Sequence, residues 1–302
     1  MWGMGGWSGS DDEEGLRSLD RAIELGCNFF DTAWAYGNGH SERLLAQALR
    51  AHAGQRLYVA TKVPPKNMTW PGRAEDPLEA VFPADHIREY TDKSLKNLGV
   101  ESIDLQQLHV WSDAWAADAS WQRVVADLKK DRMIRAFGIS VNRWEPANVL
   151  AALETGLVDC VQVVYNIFDQ APEDRLFAAC QRMGVAVIAR VPFDEGSLTG
   201  TLTQESRWPA GDWRNIYFTP EMIAATLPRI ERLKRLTPPG MDLPELALRF
   251  ILAHPAVTTT IPGMRKRSHV EQNLAASDGD PLPPHLRDAL RAHRWDRTAV
   301  IP

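Results

Sequence analysis

The chain has 302 residues, 44% of them apolar and 24% charged, with 34 Lys and Arg against 39 Asp and Glu for a net charge of −5. That size bounds it to one large domain or two small ones, and the acidic balance argues against a nucleic-acid partner. No basic leader with an apolar segment behind it and no long apolar run is present, so neither secretion by signal peptide nor a membrane partner is expected.

The first six residues, MWGMGG, are a candidate strand. An amphipathic stretch at 12–25 leads into a β-like run at 27–31, and the alternation then continues. Helical patterns at 41–52, 84–98, 119–131, 144–155, 173–183 and 243–254 separate strands at 57–63, 103–109, 134–140, 160–165, 185–191 and 257–261. Strands alternating with helices predict βα units and a parallel sheet, and nearly continuous apolar strands predict burial on both faces. Seven strands plus the candidate at the start, over this length, fit a (β/α)8 TIM barrel, with 1–302 read as a single domain. A doubly wound sheet is the rival. It needs a glycine-rich phosphate turn, and Gly3-Met4-Gly5-Gly6-Trp7-Ser8 lacks the last glycine and opens no helix at once.

Three cysteines, Cys27, Cys160 and Cys180, fit neither a disulfide framework nor a zinc pattern and suggest a reducing, cytoplasmic setting. Eleven tryptophans are unusual, and Trp34, Trp70, Trp111, Trp115, Trp208 and Trp213 lie in Pro/Gly-rich or polar stretches. They either pack beneath long loops or wall a pocket for a sugar ring or other flat ligand. Two stretches, 64–83 and 193–217, are long for loops and follow strand C-termini, the face where barrel enzymes keep their chemistry.

Polar residues end successive apolar strands: Asp31 with Tyr36 in the next loop, then Lys62, His109, and Ser140 with Asn142, while Gln162 lies inside the fifth run. A lone histidine is usually a satisfied core residue, but a barrel would gather all of these at one mouth. An ammonium beside a phenol favours the phenolate and lowers its pKa, and a carboxylate keeps the ammonium charged. Asp31, Lys62 and Tyr36 are therefore expected to form a proton donor poised nearer neutrality, with His109 orienting a carbonyl oxygen. No H-x-H or H-E-x-x-H spacing is present, so no metal is expected.

NFFDTAWAYGNGHSE at 28–42, ATK at 60–62, LH at 108–109, GISVN at 138–142, VQVVYN at 161–166 and IPGMRKRSHVEQNLAAS at 261–277 together resemble the aldo-keto reductase family, in that family's order and over nearly the whole chain. The resemblance implies an NADP(H)-binding barrel. It makes Tyr36 the general acid/base, Lys62 and Asp31 its tuning pair, and His109 the substrate-orienting histidine. Ser140, Asn142 and Gln162 would hold the nicotinamide carboxamide. Arg190, Pro192, Gly196, Leu198 and Gly200 join the cofactor-binding set, as do Gly263 and Met264 at the phosphates, Arg265 and Lys266 at the 2′-phosphate, and Gln272 and Asn273 at the adenine. Trp34, Trp111 and Trp115 are expected to line the substrate pocket.

Two departures from the family's pattern stand out. The usual N-terminal β-hairpin is lacking, and Arg190 occupies the place where many relatives stack an aromatic on the nicotinamide. The expected function is NADPH-dependent reduction of an aldehyde, ketone or sugar to an alcohol. The alternative is a non-catalytic NADP(H)-sensing regulatory subunit of the same fold.

Overall fold

Residues 11–297 are described by the computed structural model. Their centre is a curved parallel sheet of seven strands in the order β1-β2-β3-β4-β5-β6-β7. The strands are β1 (Phe29–Asp31), β2 (Tyr58–Val63), β3 (Ile103–Leu108), β4 (Ile134–Ser140), β5 (Cys160–Val164), β6 (Ala186–Arg190) and β7 (Thr259–Thr260). Around them run α1 (Asp12–Glu24), α2 (His40–Ala51), α3 (Leu78–Val81), α4 (Ala84–Leu98), α5 (Ala119–Lys130), α6 (Leu150–Leu153), α7 (Leu176–Met183), α8 (Arg214–Tyr217), α9 (Pro220–Leu236), α10 (Leu243–Leu252), α11 (Arg267–Ala275) and α12 (Pro284–Arg291). This is the expected (β/α)8 barrel architecture. The candidate strand at the start of the chain and the expected lack of a hairpin lie outside the described residues.

All seven expected strands form, each within two residues of its expected ends. Their apolar side chains explain this. Phe30, Val59, Val63, Ile103, Leu108, Phe137, Ile139, Val161, Val163, Val187 and Ala189 are buried, because helices cover one face and the barrel interior the other. The helix ends follow ordinary capping chemistry. Asp11 accepts from the Glu14 N–H at 3.0 Å to open α1, and Gly99, at φ 66, closes α4.

Several expectations fail. The helix expected over 144–155 shrinks to the single turn of α6, with Pro146 and the turn at Asn148 occupying the rest. α11 and α12 have no counterpart among the expected elements, and neither has α9. Pro228 interrupts its pattern, yet the helix is continuous, capped by Thr219 and buried through Met222, Ile223, Thr226, Ile230 and Leu233. The stretch 193–217 is not one loop, since a 3-10 segment (Asp194–Thr199) and α8 lie within it. The sheet's outer strands are bridged by helices. α1 packs against α11, where Arg21 donates to Glu271 at 2.9 Å and the Arg267 N–H donates to Glu14 at 3.2 Å.

Candidate active site

Strand register gathers the polar strand residues inside one end of the barrel. Lys62 pairs with Gln107 across β2 and β3, and Ser140 with Gln162 across β4 and β5. Gly138 leaves the room this needs. A Cβ there would lie 2.9 Å from the Cys160 carbonyl and 3.1 Å from Gln107 Cγ, so only glycine lets the Gln107 side chain cross the interior.

The Lys62 ammonium is fully buried. It donates to Asp31 Oδ1 and to the Thr32 carbonyl, both at 2.7 Å. Asp31 Oδ2 accepts from Gln162 Nε2 at 2.8 Å and, at 3.4 Å, from Gln107 Nε2. Behind β2, Glu42 is also buried, accepting from Thr61 at 2.7 Å and Asn97 at 2.7 Å. Glu42 therefore ties α2 and α4 to the strand that carries Lys62.

Tyr36 reaches this group from a turn of three successive left-handed residues, Gly37 (φ 64), Asn38 (φ 51) and Gly39 (φ 80). Two glycines make that path affordable. The Lys62 ammonium lies 5.6 Å from the centre of the Tyr36 ring, and the His109 ring meets Tyr36 edge-on at 5.9 Å. The glycine turn ends in α2 at His40. Ser41 lies inside that helix, accepts from Thr32 Oγ1 at 2.7 Å and does not cap it, while Leu44 and Leu45 face the core.

The electrostatics reverse one expectation. Burial raises the Tyr36 pKa above the ordinary tyrosine value of 10, with Asp31 adding to the rise and Arg190 opposing it. Tyr36 is thus a neutral phenol that holds its proton, because loss of solvent outweighs the cations beside it. Burial also pulls Lys62 downward, opposed by Asp31. His109 falls well below 6.5 through burial, then Lys62 and Arg190, so the imidazole is neutral, with Nδ1 enclosed and unpartnered.

A cleft of about 1040 Å³ opens from this cluster and runs across the barrel end to the start of α11. It is lined by Tyr36, Trp70, His109, Ser140, Gln162, Arg190, Pro192, Gly196 and Gly200, and at its far end by Gly263, Arg265, Gln272 and Asn273. Most of the expected cofactor residues therefore share one cavity, of a size that suits a dinucleotide with a small substrate beside it. Arg265 is half-buried at the far end, with Nη1 enclosed and unpartnered.

Asn142, Leu198, Met264 and Lys266 are not among the residues that line the cleft. Asn142 donates to the Gly72 carbonyl at 2.9 Å and accepts from the Gly72 N–H at 3.3 Å, so it pins the 64–83 loop. Leu198 and Met264 are buried in the apolar core, and Lys266 is exposed just before α11. Gln162 lines the cleft, but its amide nitrogen is engaged by Asp31.

The three tryptophans expected in the substrate pocket do not line the cleft. Trp34 packs edge-on against Tyr90 at 4.6 Å. Trp111 is fully buried against Trp115 and Trp121, and Trp115 donates to the Asp76 carbonyl at 2.8 Å, holding the long loop down. The tryptophan at the mouth is Trp70, carried on that loop and edge-on to His109 at 5.7 Å. The turn-rich composition around Trp70 was the available signal for it. Trp213, another of the tryptophans from turn-rich stretches, also lines the cleft, as do Glu195, Arg214 and His269, which have no sequence signature of their own.

Comparison with known proteins agrees with this geometry. Residues 1–294 match the model of the Aldo/keto reductase family. The chain is 28% identical over 291 residues to the NADH-specific methylglyoxal reductase of Escherichia coli, covering 91% of this chain and 87% of that protein. It is 27% identical over 284 residues to the aldo-keto reductase yakc [NADP(+)] of Schizosaccharomyces pombe, covering 88% of this chain and 78% of that one. In structure it is similar to the glycerol dehydrogenase of Gluconobacter oxydans, with a TM-score of 0.80 at 27% identity over 98% of this chain and 91% of the other.

Proposed function

Because the chain belongs to the aldo/keto reductase family of oxidoreductases, we propose that it reduces a small aldehyde, ketone or sugar to an alcohol with NADPH, Tyr36 giving the proton. The observation that carries this reading is the Asp31–Lys62 pair at 2.7 Å, with neutral Tyr36 and neutral His109 at the head of a cleft long enough for a dinucleotide.

A bound nicotinamide nucleotide supplies hydride to the carbonyl carbon. The protein does the rest. Neutral His109 donates a hydrogen bond that orients the carbonyl oxygen, and Tyr36 delivers its proton to that oxygen as negative charge builds there. Asp31 fixes Lys62, and the ammonium stabilises the phenolate that Tyr36 leaves behind.

The choice of nucleotide rests on the far end of the cleft. Relatives of equal similarity carry names pointing to NADH and to NADP(+), so likeness alone does not decide. Arg265, with its unpartnered Nη1, and the exposed Lys266 and Arg267 offer charge-assisted donors to a 2′-phosphate. Replacing Arg265 with Ala is expected to cut the NADPH-over-NADH preference in kcat/KM by about 10–100-fold. An unchanged preference would remove the 2′-phosphate role.

Incubating the purified protein with sugars, aldehydes and keto acids and following the reduced-nicotinamide absorbance tests the activity itself. At least one carbonyl should drive NADPH oxidation. Tight nucleotide retention with no turnover across the panel would instead support the regulatory-subunit reading.

A further inference from the structure

We propose that Arg190 makes the site discriminate between the two redox states of its nucleotide, favouring the reduced, neutral ring over the oxidised, cationic one. This rests on the nicotinamide-binding reading above and concerns a residue that the proton-transfer chemistry does not use.

Arg190 is the last residue of β6, and the chain turns sharply after it at Val191 (φ 57). Its side chain lines the same end of the cleft as Tyr36, His109 and Gln162. One hydrogen bond holds the guanidinium, from Nη2 to the Val141 carbonyl at 3.0 Å, and its Nε is enclosed without a partner.

The charges around it are matched in other ways. Lys62 is balanced by Asp31 at 2.7 Å. Glu195 is drawn to Arg143 at 2.7 Å. Tyr36 and His109 are neutral. Among the described residues Arg190 has no ion pair at salt-bridge distance, and Glu195 and Asp31 act on its charge only from farther off. Its influence spans the cluster, opposing the rise of Tyr36 and depressing Lys62 and His109. An arginine keeps its charge at any working pH.

A ring that passes hydride to the carbon whose oxygen faces Tyr36 must lie at this end of the cleft. The reduced ring is neutral and the oxidised ring carries one positive charge. In a partly desolvated site, two like charges a few ångströms apart repel strongly, and Glu195, the acid beside Arg190 in the cleft wall, is already paired with Arg143. The bound couple is therefore poised toward the reduced form, and the oxidised nucleotide leaves more readily after turnover. Each tenfold ratio between the two dissociation constants raises the two-electron potential of the bound couple by about 30 mV.

The test is an equilibrium titration of NADPH and of NADP+ into wild type, Arg190→Gln and Arg190→Lys, read by quenching of tryptophan fluorescence. Wild type should bind NADPH tighter than NADP+ by a ratio that falls about tenfold or more in Arg190→Gln. Arg190→Lys, which keeps the charge, should retain most of that ratio. A Gln variant whose ratio stays within about twofold of wild type overturns the proposal, even if both affinities fall together. So does a Lys variant that loses the ratio as completely as Gln. Wild type that binds neither nucleotide fails the functional reading itself, before Arg190 is in question.

Discussion

Tyr36 and Tyr217 both sit beside acids and cations in this barrel, and only Tyr36 lines the cleft. Burial raises the pKa of both Tyr36 and Tyr217. Tyr217 donates to Asp194 at 2.6 Å and accepts from Arg297 at 2.7 Å and Arg143 at 2.9 Å. The same two arginines hold Asp194 and Asp169, and Ser197 donates to Asp194 at 2.6 Å. That cluster locks the 3-10 segment after β6 to the end of the chain, and its phenol is committed to Asp194. Tyr36, in contrast, lines the cleft, and its ammonium neighbour is held by Asp31. Burial sets the protonation state of a phenol, and access to the cleft decides whether its proton can be used.

The largest expected effect is at Tyr36. Tyr36→Phe should lower turnover by about 10²–10⁴-fold while leaving the nucleotide dissociation constant nearly unchanged. Equal turnover in that variant would erase the distinction between the two tyrosines. Next comes Arg297→Met, which leaves buried Asp194 and Asp169 short of a cation. Denaturant unfolding should show a loss of about 3–5 kcal/mol, with the residual activity of folded protein close to wild type. Tyr217→Phe is milder. It removes one donor to Asp194 and should cost about 1–3 kcal/mol of stability, again with turnover preserved. A collapse of turnover at full stability would make Tyr217 the reactive phenol.

The smallest effect is in pH. Tyr36 is raised above 10, so it stays protonated below that value. His109 is lowered beneath 6.5, so it stays neutral above that value. Neither Tyr36 nor His109 should therefore contribute a limb to kcat/KM between those limits. A limb within the window that vanishes in a His109 variant would show that the imidazole titrates there.

Much of this was legible in the chain. Strands buried on both faces write themselves as short apolar runs, and Asp31, Lys62 and His109 stand out as polar residues where such runs stop. The sign of the Tyr36 shift was not legible, because sequence names the neighbouring cation but not the depth of burial that outweighs it. Neither was the Tyr217 cluster. Arg297 and Asp194 are 103 residues apart, and each reads alone as ordinary solvated charge. The pocket tryptophans failed for a related reason. Composition shows that aromatics lie near the loops, but not whether a ring faces the cavity, as Trp70 does, or holds the loop from beneath, as Trp115 does. Asn142 has the right residue type at the right spacing, yet its amide is drawn to the Gly72 backbone 70 residues away.

The contact between α1 and α11 has a consequence for how the chain assembles. Each strand pairs with its neighbour in chain order, so all six pairings among the described residues can be made by local growth, one βα unit after another. The bond from Arg21 to Glu271 joins residues 250 apart, and that from Arg267 to Glu14 joins residues 253 apart. Closing so long a loop carries an entropic penalty that local pairings avoid. Arg265, Gln272 and Asn273 lie on α11 or just before it, so the groups proposed to hold the nucleotide's adenine and 2′-phosphate sit on that long-range junction. By mass action, a ligand held there favours the closed ring over any form in which the two ends of the chain have parted.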